Sequence, residues 1–168
     1  MSHKGIMSTK FEKEEDLEMA TVPFINEYFD NWSWQIPVYY RVIDFGGIKD
    51  NVLIGIEYKL KDWKRAIWQA HGHRLTFDYL YILLPKRKIS QILRTEARKV
   101  GIGVLLFSGK GIEIAIKPKR QWMIWNPRRK EVVKWIKEIP LHKRQYSDEE
   151  LETMRERFSI FNKTSNVT

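Results

Sequence analysis

A chain of 168 residues, 43% hydrophobic and 13% aromatic, is long enough to bury one sizeable core and too short for two full domains. Its 30 Lys and Arg against 21 Asp and Glu leave a formal charge of +9, a surplus that steers polyanions toward the surface and favours nucleic acid as the partner. The absence of cysteine excludes disulfide frameworks, thiolate zinc sites and a cysteine nucleophile, and no apolar run approaches the roughly 18 residues of a membrane span; the expectation is a soluble cytoplasmic protein with no membrane partner.

Residues 1–10, rich in Ser, Lys, Gly and Thr, read as a loose leader. From about residue 12 to 29, Leu17, Ala20, Phe24 and Tyr28 recur on one helical stripe, and Glu12, Glu15 and Asp16 crowd the start, where the helix dipole favours acids. Pro23 predicts a kink, or a break into two shorter helices. Residues 34–45 read as one extended segment, with Pro37 near its start and Gly46-Gly47 ending it. A second strand over 52–60 is apolar enough to be buried. Helical spacing returns over 62–76 through Trp63, Ala66, Ile67 and Ala70, with Asp62 as the N-cap. The nearly unbroken apolar run over 79–84, closed by Pro85, predicts a buried strand. The order to this point is helix, strand, strand, helix, strand.

Residues 89–100 form an amphipathic helix stopped by Gly101, and 103–107 with 112–117 flank Ser108-Gly109-Lys110-Gly111 as a hairpin. After Pro118 the composition changes. Lys119, Arg120, Arg128, Arg129 and Lys130 surround Trp122 and Trp125, and helices follow over 131–138 and 147–161, the second opened by a Ser147/Glu150 capping box. Residues 162–168 read as a frayed tail. The expected architecture is α/β: a mixed sheet with helices on both sides over 11–118, extended by a basic, aromatic segment and C-terminal helices over 119–161. No internal repeat is present, which argues against a solenoid.

The informative segment is Ile54-Gly55-Ile56-Glu57-Tyr58-Lys59-Leu60. Strand alternation sends Glu57 and Lys59 to one face and Ile56, Tyr58 and Leu60 to the other, so two opposite charges share one face of a core strand. Burying them costs several kcal/mol unless something compensates, and the structural alternative is an ion pair or an edge strand facing water. Upstream, Asp44 precedes the Gly-Gly pair. If the two strands form a hairpin, Asp44 and Glu57 converge, and such a carboxylate pair offers Mg²⁺ (or Mn²⁺) the hard oxygen ligands it needs, with other positions left to water and phosphate. Without Glu57 and Lys59, Asp44 would read as a turn residue beside glycine.

These residues and their order resemble the PD-(D/E)XK nuclease superfamily, the restriction-endonuclease-like fold that includes Holliday junction resolvases and RecB-type nucleases. The resemblance covers residues 14–85. It implies that Asp44 and Glu57 bind the metal, that Lys59 positions or activates the attacking water, and that a first-helix glutamate completes the site. Glu14 fits that last role best, with Glu15 and Glu18 as alternatives. Gln69, in Trp68-Gln69-Ala70-His71, resembles a glutamine of several branches of the superfamily on the helix lining the site; a solvent-facing helix position is its other reading. Ile43 stands where the family name has proline, which leaves Asp50 as a rival acid, although Lys49-Asp50-Asn51 looks like the turn between the strands.

The function expected is Mg²⁺-dependent hydrolysis of DNA, with an RNA-processing nuclease and a non-catalytic nucleic-acid-binding protein as the other readings. The cations Lys61, Lys64, Arg65, Lys119, Arg120, Arg128 and Arg129, with Trp122, are the expected nucleic-acid contacts. In the opposing reading Trp122, Ile124 and Trp125 seal the core. His71-Gly72-His73 suggests metal binding, yet residues two apart on a helix diverge, so a solvated helix end is the simpler reading. Many relatives dimerise, and a homodimer remains an open expectation.

Overall fold

A computed structural model describes residues 11–138 together with Ser147, Glu149, Glu150, Glu152, Thr153 and Glu156. The expected leader and tail lie outside these residues, as does much of the helix expected over 147–161. The reciprocal cap at the start of that helix is present: Ser147 N–H donates to Glu150 Oε2 at 2.7 Å, and Glu150 N–H to Ser147 Oγ at 3.1 Å.

In chain order the elements are α1 (Glu14–Tyr28), β1 (Asn31–Val38), β2 (Arg41–Lys49), β3 (Val52–Tyr58), α2 (Trp63–His71), β4 (Tyr79–Pro85), α3 (Gln91–Val100), β5 (Gly103–Ser108), β6 (Gly111–Ile116) and α4 (Asn126–Glu138). The strands form one sheet in the order β1-β2-β3-β4-β5-β6. β1-β2 and β2-β3 are antiparallel, β3-β4 and β4-β5 are parallel, and β6 returns antiparallel on β5. The mixed sheet between helical layers agrees with the expected α/β class.

Two helix boundaries follow the local chemistry. Asp62 caps α2 by accepting the Arg65 N–H at 3.1 Å, and Gly101 ends α3 with a φ of 72°, a conformation that costs glycine nothing. The helix expected to reach residue 76 stops at His71 and continues as turns. Pro23 does not break α1. Its ring is buried, and the helix runs past it to Tyr28.

The segment over 34–45 corrects the sequence reading. It is not one strand but the two arms of a hairpin, joined at Tyr39-Tyr40 between the paired residues Val38 and Arg41. Nor do Gly46-Gly47 end a strand: β2 runs through them to Lys49, which places Asp44 inside a strand and three strands, not two, before α2. The glycines serve a close approach. A Cβ on Gly47 would sit 2.5 Å from the Phe29 ring. The β2–β3 turn falls at Asp50-Asn51, both with positive φ, as their residue types favour.

One face of the sheet packs against α2, α3 and α4 through residues such as Ile43, Leu53, Ala66, Ile67, Phe77, Leu93 and Ile136. The other packs against α1 through Leu17, Ala20, Ile25, Phe45, Ile56 and Tyr58. Thr21 of α1 ties the second layer to β3. Its hydroxyl donates to the Glu18 carbonyl at 2.7 Å, so the Tyr58 O–H, 2.9 Å away, must donate to Thr21.

Candidate active site

β2 and β3 pair regularly from Lys49 and Val52 up to Phe45 and Ile56. One position further stand Asp44 and Glu57, and there the ladder changes character. The Tyr58 N–H is bound by the Asp44 side chain, with Oδ2 accepting at 2.9 Å. On the other side of Asp44, Gln35 adopts a φ of 50° and drops out of an otherwise continuous β1–β2 register. Packing records the same disturbance. Ile43 belongs to the α2 layer and Phe45 to the α1 layer, although residues two apart on a regular strand share a face. A left-handed non-glycine residue costs about 1–2 kcal/mol, and strain of this kind collects at functional positions. The strand is therefore distorted where it carries the acid.

Glu57 is 3% exposed, its carboxyl within hydrogen-bonding reach of Asp44 and its Oε1 3.5 Å from His73 Nε2. Burial, and then the neighbouring Asp44, push the Glu57 carboxyl up to about 9, more than the Lys59 charge offsets. Burial, then Asp44, Glu15 and Glu14, raise Glu18 to about 7. His73, 2% exposed, is pushed down to about 4 by burial and by the charges of Arg41 and Arg128. At neutral pH Glu57 thus keeps its proton and His73 has none, so their contact is between neutral groups rather than an ion pair.

The cluster of Glu14, Glu18, Asp44 and Glu57 holds more carboxyl groups than its low dielectric lets ionise together, a condition that a divalent cation relieves. Among the described residues no three His, Asp or Glu side chains converge as a ready-made cage. Mg²⁺ does not require one, since it commonly takes one or two carboxylates and leaves the other positions to water and phosphate. The Asp44 and Glu57 donor set fits that habit.

Lys59 follows β3, and its backbone N–H donates to Leu83 O at 3.1 Å, which extends the pairing with β4. Its Nζ lies 3.3 Å from Glu14 Oε1 and 3.4 Å from Oε2, so the first residue of α1 and the lysine after β3 form an ion pair. An open cleft of about 780 Å³ begins at this pair and is bordered by Lys61, Asp62 and Arg65. Asp44, Glu57, Lys59 and Glu14 therefore occupy one neighbourhood, with cations along its mouth.

The other candidates are dispersed. Gln69 lies on α2 with its Oε1 buried and without a hydrogen-bond partner among the described residues. Lys61, Lys64, Arg65, Lys119 and Arg120 are exposed. Arg129 is committed elsewhere: it donates to both carboxyl oxygens of the buried Asp78, at 3.4 and 2.8 Å, and to Asn51 O at 2.8 Å. Arg120 approaches the same Asp78 at 3.7 Å. Arg128 lies 3.7 Å over the centre of the Tyr39 ring. Trp122 is 86% exposed and does not seal the core. Asp50 is a turn residue and its N–H is bound by Asp30, which removes it as the rival acid.

His73 was missed as a neighbour of the site. The solvated helix end expected at His71-Gly72-His73 is instead, at His73, a buried turn facing Glu57. A histidine two residues past a helix carries no local sign of burial; the signal comes from the sheet beneath it.

No protein-family profile and no curated protein sequence matches the chain. A solved structure of a protein of unknown function from Silicibacter pomeroyi is similar in fold, with a TM-score of 0.55 and 13% identity over 95% of this chain and 97% of that one.

Proposed function

We propose that this chain is a metal-dependent nuclease that hydrolyses DNA phosphodiester bonds at Asp44, Glu57 and Lys59. The observation that carries this reading is the convergence of Asp44 and Glu57, from adjacent strands, in a carboxyl cluster too acidic to ionise fully. The resemblance of the same residues to the PD-(D/E)XK nucleases supports it, as does the +9 charge.

Asp44 and Glu57 would hold Mg²⁺ or Mn²⁺, which when bound polarises the scissile phosphate and makes water a better nucleophile at neutral pH. Lys59 provides a fixed positive charge beside the phosphate oxygens, where negative charge grows as water attacks phosphorus and the bond to the leaving oxygen breaks. Glu14 holds the Lys59 ammonium in place. Lys61 and Arg65, at the mouth of the cleft, attract the phosphate backbone. A cytoplasmic location is consistent with the cysteine-free composition.

The direct test incubates the protein with linear, circular, branched and single-stranded DNA, and with RNA, in Mg²⁺, Mn²⁺ or EDTA. Metal-dependent cleavage of DNA is expected, and Lys59→Ala is expected to lower its rate about a hundredfold while binding in EDTA persists. Binding without cleavage under every condition would replace the enzyme with a non-catalytic binder.

Metal affinity carries its own pH signature. Ligation requires ionised carboxylates, so a metal bound at Glu57 displaces the proton that burial favours. Below about 9, affinity for Mn²⁺ is expected to rise by up to about tenfold per pH unit. Calorimetry in buffers of different ionisation enthalpy reads both the affinity and the released proton. A pH-independent affinity would place the metal away from Glu57.

A further inference from the structure

The hairpin tip that joins β1 to β2 is built from residues that turns normally avoid. Tyr39 has a φ of 61°, a left-handed conformation in which a bulky side chain is strained. The neighbouring β2–β3 turn meets a similar demand with Asp50 and Asn51, residue types that tolerate it. The tip instead displays two large rings to water: Tyr40 is 88% exposed and Tyr39 57%. Turn geometry does not call for them.

The rings do not stand alone. Tyr39 packs against Trp125, itself 45% exposed, with ring centroids 5.8 Å apart, and the Arg128 guanidinium covers Tyr39. Arg128 thereby fixes Tyr39, which meets Tyr40 in a T-shaped contact with ring centroids 6.1 Å apart and leaves most of the Tyr40 ring in water. Arg41 follows directly, and both arginines act electrostatically on His73, the residue against Glu57. Because β2 runs antiparallel to β3, the tip lies at the end of the sheet where Glu57 and Lys59 emerge. Tyr40 is four residues from Asp44, about 13 Å along an extended strand.

Exposed aromatic rings among cations, at the same end of the sheet as the proposed site, match unpaired bases better than a duplex. The π-face of each base is open to stacking in a single strand and is covered by its neighbours in a helix. We infer that Tyr40, set against a Tyr39 that Trp125 and Arg128 hold in place, is a stacking platform for unpaired nucleobases, and that the substrate of the proposed site carries a single-stranded segment. The single-stranded substrate rests on the nuclease reading; the platform itself is a binding claim and is tested without cleavage.

The test measures anisotropy of a labelled single-stranded oligonucleotide and of a blunt duplex of equal length, both in EDTA. Tyr40→Ala is expected to weaken single-strand binding about tenfold, to change duplex binding less than about twofold, and Tyr40→Trp to restore the single-strand affinity. Tyr40 is almost fully exposed, so the fold is not at stake, and a thermal melt checks this. Equal weakening of both ligands, or of neither, overturns the platform. Wild-type protein that binds single strands through Tyr40 but cuts nothing in Mg²⁺ or Mn²⁺ keeps the platform and removes the nuclease. Cleavage of duplex DNA with no effect of Tyr40→Ala on any ligand does the reverse.

Discussion

Glu57→Gln is expected to lower metal-dependent cleavage roughly a thousandfold or more, and at the same time to make the metal-free protein more stable at alkaline pH. The loss follows from removing a charged ligand, which glutamine matches in shape but not in charge. The gain follows from the burial that raises the Glu57 carboxyl from 4.5 to about 9. Below 4.5 both folded and unfolded chains hold the proton, and Glu57 carries no pH-dependent cost. Between 4.5 and about 9 the unfolded chain releases the proton while the folded chain keeps it, so stability falls as pH rises, by up to about 1.4 kcal/mol per unit. Glutamine has nothing to titrate and behaves as the permanently neutral group. Urea unfolding in EDTA at pH 5, 7 and 9 is therefore expected to give diverging curves, the variant gaining on wild type at each step. Parallel curves would mean that Glu57 is ionised in the fold and that the crowding argument for a cation is wrong. Cleavage that survives in Glu57→Gln would place the chemistry elsewhere.

Arg129→Met is expected to destabilise the fold by about 3 kcal/mol, because it strands a buried carboxylate. Asp78 accepts the Leu53 N–H at 2.8 Å at the start of β3, and Arg129 from α4 neutralises it. With Arg129 gone, the cation left beside the charge among the described residues is the more distant Arg120. Adding Asp78→Asn to Arg129→Met should recover part of the loss, since it removes the orphaned charge along with its partner. Urea denaturation of the single and double variants measures this. If Arg129→Met melted like wild type yet bound DNA poorly, Arg129 would return to the nucleic-acid surface where its sequence context first put it.

Asp44, Glu57 and Lys59 were legible because each breaks a local pattern. In the sequence a Glu and a Lys two apart in an apolar run, preceded by an Asp in another, pose a burial problem that the proposed site would answer. The α2 cap and the Gly101 stop were legible because backbone geometry demands those residue types. The β1–β2 hairpin was not. Tyr39-Tyr40 offers no turn chemistry, and the Gly-Gly pair that resembled a stop is required by packing, Gly46 by the Ile36 side chain and Gly47 by the Phe29 ring. His73 and Arg129 were hidden for a common reason. Their environments are made by partners such as Glu57 and Asp78, distant in the chain, which no local window contains. Trp122 shows the converse: its sequence context left a nucleic-acid contact and a core residue both open, and the fold, by leaving it in water, removes the second.

The strictly sequential strand order bears on how the molecule assembles. Every strand neighbours the one before it, so growth of the sheet only ever adds to its newest margin, and no strand has to be threaded between two already in place. The acid pair and its lysine stem from β2, β3 and the residue after β3, while the histidine over Glu57 arrives only after α2. As the chain leaves the ribosome, the proposed site residues are thus laid down before the histidine that packs on Glu57.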